Sequence, residues 1–592
     1  VSAAIRGTEV VFEKTEGETR VVVLEGSVEL ANAHGQVDLA KGEQGRATQA
    51  SAPTKSIIVN PEKEVQWALY YPLLDDNEAR VAGESQSVLG RIDTMIVSGE
   101  VQSAEQELGT IAEASLGDEV LVRRAIIAVI QNQQETALRH IEGVRSYTSK
   151  SALTRAYVHQ SLRQLDLAKE WTLKSVHLDP HNGLAWARLA ELELGFGNLK
   201  EAHEYSIKAI SLSSHNSYVN SVMGFVYLTQ GKIEEARGSF ERAITLDSED
   251  GTPRMGLGLV KVNRGDMVGG REEFENAAGL EPSRGLYRSY LGKAFFESED
   301  EESADKEYDR AIELDPNDPT PYLYRAFSRL AENRVVEALG DVEDSISRND
   351  NRVVYRSSLL LDQDSSVRST SLAEVFQQLG FSRIAQLEAM KSIGKDYTNF
   401  GAHRLLSQSY EGDFYRDTQF TENTVADIMA PLSLNVFQGL SGYSSDASLN
   451  EYAALFDRDQ TRTGLNTSWA SFDDQARANF FNVGKTGPLG YYAGYQTLYA
   501  RSSKSNDDLA RMHRFDLAGQ YQISSTDRIL SKISFTNSDD QVPDVGSSLD
   551  DFAASIATHH ILTAGFELIT RFEYFKRNYD GFDKDAGRRL ET

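Results

Sequence analysis

LAGQYQISSTDRILSKISF, Leu517 to Phe535, decides how the end of this 592-residue chain is read. Its apolar residues fall on every second position: Leu517, Tyr521 and Ile523, then, past a tight polar turn, Ile529, Ile533 and Phe535, with Gly519 and Ser531 keeping the phase. That period gives each face of a strand its own chemistry. Around it stand five more runs of the same kind, TGLNTSWASF, ARANFFNVG, LGYYAGYQTLYA, FAASIATHH and TAGFELITRFEYFKRN, which makes seven strands in all. Most exceed the five or six residues usual in soluble sheets and approach the ~9–11 that cross a bilayer at a tilt. The short connections KTGP and STD alternate with the long RSSKSNDDLAR and NSDDQVPDVGSSLDD, as in outer-membrane barrels; the short first gap, DDQ, departs from that rule.

Face composition adds to this. Tyr491, Ala493, Tyr495, Thr497 and Tyr499 share one face of the third strand, and Phe515, Leu517, Gly519, Tyr521 and Ile523 one face of the fourth. The opposite face of the fourth makes Asp516, Gln520 and Gln522 candidate lumen residues. Tyr499, Tyr521, Phe572, Tyr574 and Phe575 are candidates for an interfacial girdle. A soluble sandwich shows the same alternation, so this period alone leaves both readings open. Seven strands do not close as single-chain bacterial barrels usually do, and open edges are not tolerated in lipid. The expectation is an incomplete barrel or one closed between copies of the chain, which admits a homo-oligomer.

Further upstream the chain repeats itself. Small residues recur every 34 positions at Ala168, Ala202, Ala236, Gly270, Ala304 and Ala338; a second register holds Ala190, Gly224, Gly258, Gly292 and Ala326, and a third Ala209, Ala243, Ala277 and Ala311. Phe240, Phe274 and Tyr308 keep the same period, and Pro282 and Pro316 close two units. By this pattern residues 183–350 are identified as a tetratricopeptide array, each unit two antiparallel helices, with small residues where the helices approach most closely. Irregular helical repeats precede it at 76–182. An insertion and a capping repeat follow at 351–414, since a terminal unit must cover an open apolar face.

Such arrays resemble one another in presenting a concave groove that binds peptides or assembles complexes. Carried onto this sequence, the groove takes Tyr218, Phe225, Met255, Leu259, Lys293, Phe296, Leu323 and Phe327. Those side chains suit a protein or peptide partner or the apolar face of a sugar ring in a polysaccharide.

Residues 1–58 alternate in short runs, EVVFE, TRVVVLEGSVEL, GQVDLAKGEQ and SIIVN, broken by Gly17, Gly26, Gly35, Gly42 and Gly45. AAIRGTEVVFE, VVVLEGSVEL and LAKGEQG resemble the carboxy-terminal part of a FecR-type periplasmic β domain, so the chain is expected to begin inside that domain. A linker at 59–75 carries Trp67, Tyr70 and Tyr71 as seals toward the next domain.

Composition bounds the chemistry. A net charge of −28 argues against nucleic acid or an anionic headgroup surface as main partner. The absence of cysteine excludes disulfides, zinc–thiolate sites and thiol catalysis. No run of about 18 apolar residues offers a transmembrane helix, and a chain starting at Val1 says nothing about an export segment. GxxxxGK[ST], HExxH and GxSxG are missing, and the adjacent His559 and His560 in a strand point to opposite faces, unsuited to joint ligation. No catalytic residue, metal or cofactor is expected. ESEDEESADKEYD, Glu297–Asp309, reads as a solvated acidic helix-turn surface, or else as a weak site for a cation or a basic peptide.

The expected architecture is multidomain: an all-β FecR-like module, a central all-α tetratricopeptide superhelix, a connector or plug at 415–460, and antiparallel strands of a partial outer-membrane barrel at 461–592. This order resembles a family of large bacterial outer-membrane proteins through VQWALYYP, NDNRVVYRSSLLLDQDSSVRSTSLAEVFQQLGF, GAHRLLSQSY and LNEYAALFDRDQ. The layout is also similar to exopolysaccharide exporters. The resemblance implies a non-enzymatic protein whose periplasmic repeats bind a partner or guide a polymer to a barrel in contact with outer-membrane lipid. The alternative is a periplasmic or cell-surface interaction scaffold with a non-conducting, self-assembling sheet.

Overall fold

The computed structural model describes residues 2–57, 88–409 and 459–591 with short interruptions, chiefly at turns and at 351–357, together with Glu422, Val425, Ala426, Ile428, Met429 and Ala430. The linker at 59–75, Pro282, the 351–357 part of the insertion and the remainder of the 415–458 connector lie outside the described residues. Two compact units are resolved, Val1–Lys261 with Met267–Asp364, and Val262–Asp266 with Ser365–Thr592.

At the amino end, β1 (Ser2–Lys14), β2 (Glu18–Asn32), β3 (Gly35–Ala40), β4 (Glu43–Thr48) and β5 (Thr54–Ile57) form an antiparallel sheet in the order β1-β2-β4-β5, with β3 also on β2. Along the edge away from β1, the long β2 pairs with β4 through its first half and with β3 through its second. Val21, Val23, Val28, Leu30, Leu39 and Ala47 make its core.

From Ser149 to Ser347 helices pair as hairpins: Ser149–Ser161 with Leu165–Leu178, Gly183–Gly195 with Leu199–Leu212, Ser217–Thr229 with Ile233–Leu246, Gly251–Asn263 with Met267–Leu280, Gly285–Glu297 with Glu301–Leu314, and Pro319–Ala331 with Val335–Ser347. The small-residue period has a steric cause. A β-carbon on Gly224 would stand 2.5 Å from the Phe240 ring, and one on Gly258 or Gly292 2.6 Å from the rings of Phe274 and Tyr308. Phe240 also presses on Gly256 of the next hairpin, so one aromatic seals both its own unit and its neighbour. Contacts that tight exclude a longer side chain without displacing a fully buried ring.

Capping and turn chemistry repeat in step. Asn182 and Asn216 accept from the backbone N–H three residues on, each at 3.1 Å, and Asp318 from that of Thr320 at 2.9 Å, ending one hairpin and starting the next. The turn inside the last five hairpins holds a left-handed residue: Gly197, Gly231 and Gly265 fill it, and Glu299 and Asn333 occupy the same place with φ of 61°. Ahead of the regular array, Ile92, Val101, Ala125, Ile126, Ile141 and Val158 share one continuous core, so the degraded period there still builds packed helices.

At the carboxy end, β6 (Gln460–Ala470), β7 (Gln475–Thr486), β8 (Leu489–Arg501), β9 (Leu509–Gln522), β10 (Asp527–Asp540), β11 (Ser547–Thr563), β12 (Phe566–Asp583) and β13 (Arg588–Glu591) form a single antiparallel meander. Among the described residues there are eight strands where the sequence suggests seven; the added one is short and pairs with the end of β12. β10 and β11 also run on through most of the expected long loop, because Thr536–Asp540 and Ser547–Asp551 continue the ladder in register. The sheet is not closed: β6 and β13 are its two ends. Helices Ser358–Gln378, Ser382–Lys395 and Phe400–Ser409 precede it.

Candidate functional site

Two surfaces offer themselves, the side of the array formed by the first helix of each hairpin and the two faces of the carboxy-terminal sheet. Among the groove positions read from the sequence, Leu323 has no exposed surface, and Met255, Leu259, Lys293 and Phe327 are nearly as enclosed. Tyr218, Phe225 and Phe296 keep part of theirs. Phe225 leans edge-on to Phe240 at 5.0 Å, and Tyr218 packs beside Ala187 and Val222, so both also serve the seams between hairpins.

Polar side chains join them that the repeat pattern did not single out. The Tyr218 hydroxyl donates to Glu191 at 2.8 Å; Glu191 also receives the Arg188 guanidinium, which in turn donates to Gln160 and lies 4.8 Å over the Tyr157 ring. The first helices of three successive hairpins are thus laced by charge-assisted hydrogen bonds. Burial, and then the neighbouring Glu191 carboxylate, push the Tyr218 phenol well above its ordinary value, so it stays a neutral donor. Further along, the enclosed Lys293 ammonium donates to Glu297 at 2.5 Å and sits 4.9 Å over Phe296. Both contacts offset the cost of enclosing an ammonium within an apolar surface.

In the sheet, register assigns each side chain to a face. Leu465, Phe480, Tyr495, Phe515, Phe535 and Phe552 pair in turn across six neighbouring strands, β6 to β11, and form one row about 24 Å wide at ~4.8 Å per strand. On the same face stand Trp469, Leu517, Tyr521, Ile533, Ile556, Leu568, Phe572 and Tyr574, all exposed; Phe572 is 74% exposed and Trp469 73%. Along β9 this apolar surface runs from Phe515 to Ile523, roughly 26 Å at about 3.3 Å per residue. Arg511 and His513 on β9 and Asn537 on β10 lie beyond Phe515 on that face. Phe575 departs from the girdle expectation: alternation sets it on the face opposite Tyr574.

The other face is polar and more enclosed. Asp516 and Gln520 are buried there as alternation requires, Asp516 receiving Arg514 at 2.9 Å. Gln522 shapes the turn instead, donating to the Ser524 carbonyl at 2.6 Å. His559 on this face meets Glu567 at 2.6 Å, while the adjacent His560 meets Asp527 at 2.7 Å; the two imidazoles have separate partners. Among the described residues no helix is long and apolar enough to cross a membrane.

A solenoid of helical hairpins with this spacing and these seams defines a repeat class. Residues 219–250 and 291–318 match the family model of the tetratricopeptide repeat, and the chain contains such repeats. Among solved structures it is similar to the APC/C hetero-tetramer Cut9–Hcn1 at 15% identity, covering 60% of this chain and 68% of that one with a TM-score of 0.44. It is also similar to a tetratricopeptide repeat protein from Parabacteroides merdae ATCC 43184, at 15% identity over 44% of this chain and 98% of that one, TM-score 0.33. YrrB, described as a TPR protein with an unusual peptide-binding site, is similar at 19% identity over 32% and 96% of the two chains, TM-score 0.23. No curated protein matches the chain.

Proposed function

We propose that this chain is a non-enzymatic outer-membrane protein: its eight-stranded sheet is part of a barrel wall facing lipid, and its helical repeats bind a protein or peptide partner, or guide a polymer, on the periplasmic side. Tetratricopeptide repeats support the interaction role directly. The observation that carries the membrane reading is the row Leu465–Phe480–Tyr495–Phe515–Phe535–Phe552, all but the half-buried Tyr495 exposed on one face of strands whose other face is polar. In water such a surface would exceed by far the apolar patches that monomers leave uncovered; against acyl chains it is at equilibrium, and the polar face lines a wet interior. Lipid does not tolerate open strand edges, so in this reading further strands, from the same polypeptide or another copy, complete the wall.

Partner binding falls in this reading to Tyr218, Phe225 and Phe296, the groove positions that keep exposed surface, with Glu191 and Lys293 as the charged groups beside them. Fractionation of cells expressing the full-length protein tests the proposal. It is expected in the outer membrane, extracted only by detergent, and to migrate differently on gels with and without heating. Recovery in the soluble periplasm overturns the membrane reading and leaves the interaction scaffold.

A further inference from the structure

The polar face of β9–β12 carries a built receptor for a segment of this same chain. Where the face is otherwise lined by groups such as Asp516, Lys532, His559 and Glu567, three apolar side chains, Leu530, Ala557 and Ile569, lie together on adjacent strands, Leu530 directly opposite Ala557. On them sit Val425, Ile428, Met429 and Ala430, closed over from the helix Phe400–Ser409 by Phe400. All four are buried, Ile428 and Ala430 completely.

Polar contacts fix the direction of the docked segment. One guanidinium nitrogen of Arg528, Nη1, donates to the carbonyls of Ile428 and Met429, both at 3.1 Å, and to that of Ala430 at 3.5 Å, and Gln520 Nε2 donates to the Ile428 carbonyl at 3.3 Å. Ile428 and Met429 are helical, so these carbonyls form the end of a helical turn, where unpaired acceptors and the backbone dipole favour a cation. At the other end Glu422 pairs with Nδ1 of His403, whose Nε2 meets the Tyr397 carbonyl at 2.6 Å. The segment is clasped at both ends and packed on apolar side chains in the middle.

We infer that Glu422, Val425, Ala426, Ile428, Met429 and Ala430 form a built-in plug, held against the inner face of the wall by the Arg528–Gln520 cap, and that passage along this face requires its release. The inference rests on the membrane reading for its consequence, but the docking itself does not need a bilayer. The arrangement has the form of a latch: an apolar footprint gives affinity, while a single side chain, Arg528, holds three acceptors and so concentrates the retention at one position.

The test uses the absence of cysteine from these 592 residues, within which an introduced thiol is the sole target. In full-length protein carrying Met429→Cys, a membrane-impermeant maleimide is expected to react at least about tenfold more slowly than with Ser524→Cys, at an exposed turn position. Adding Arg528→Ala should raise the labelling rate of the thiol at position 429 about tenfold, and Arg528→Lys should fall between. Should Arg528→Ala weaken the sheet, Val425→Asp alters the segment alone and should expose the same thiol equally. Equal labelling at position 429 with and without both changes overturns the plug.

Conductance of the purified protein in planar bilayers separates the two readings. Faster labelling with higher conductance in Arg528→Ala supports both; faster labelling in a protein that fails to insert keeps the docked segment and removes the membrane role. Membrane insertion with unchanged labelling removes the plug alone.

Discussion

The helical array and the carboxy-terminal sheet bury opposite chemistry. In the array, Ala190, Phe240, Phe274, Tyr308 and Ala326 lie inside with almost no exposed surface, and charged groups stand outside or in pairs. In the sheet, Trp469, Phe515, Leu517 and Phe572 are exposed, while Asp516, Gln520, Lys485 and His559 are enclosed. Under the proposed membrane reading, one set of residue types serves two solvents, with apolar liquid against the exposed face of the sheet and water on its polar face. In that reading burial follows the surrounding medium and not residue type alone.

Phe240→Ala should weaken the array most, by about 3–5 kcal/mol, because it empties a space shared by two hairpins; thermal melts of the full-length protein read this, and a loss under about 1 kcal/mol would show the seams to be less interlocked than Gly224 and Gly256 suggest. Leu517→Arg examines the other half of the comparison. A cation amid the outer face is expected to cost about 2–4 kcal/mol of membrane stability and to lower the heat-modifiable, membrane-extracted fraction. If the variant behaves like the parent, the face meets water and the two regions obey one rule after all.

A smaller effect concerns charge at the array's turns. Burial, and then the nearby Asp318 carboxylate, push Asp315 up to about 7 from 3.8. The folded array binds this proton more tightly than the unfolded chain, so the stabilising contribution is full below about pH 4 and is lost as pH rises through about 7. Asp315→Asn, which keeps the bond from the Asn317 N–H at 3.1 Å, should therefore stabilise the array at pH 8 by of order 1 kcal/mol, the group being half-exposed, and flatten that part of the pH profile. Smallest is Glu299→Gly: with φ of 61°, glycine removes left-handed strain worth roughly 1 kcal/mol or less. A lower melting temperature would show that the side chain contributes more than its backbone costs.

How much was legible in advance differs between the regions for a physical reason. The period Gly224, Gly258, Gly292 against Phe240, Phe274, Tyr308 reports close contacts between helices adjacent in sequence, and the contact leaves its mark on both partners at fixed spacing. The left-handed turn was harder to see, since Glu299 and Asn333 replace glycine there. Polar lacing through Gln160, Arg188 and Glu191 was not visible, because it joins three repeats through side chains that follow no common period. In the sheet the alternation of Phe515 and Asp516 was plain, yet Phe575 needed the observed pairing before it could be set on a face.

Sequence alone determined the 34-residue helical hairpins, the long alternating strands and the absence of cysteine chemistry, since each rests on local spacing or on composition. Only tertiary structure decided which residues align across six strands, that the sheet has an eighth strand and open ends, and that Arg528 caps a segment about a hundred residues earlier in the chain. Register and docking of that kind depend on loop closure and on the simultaneous fit of distant surfaces, and no window of sequence contains both partners.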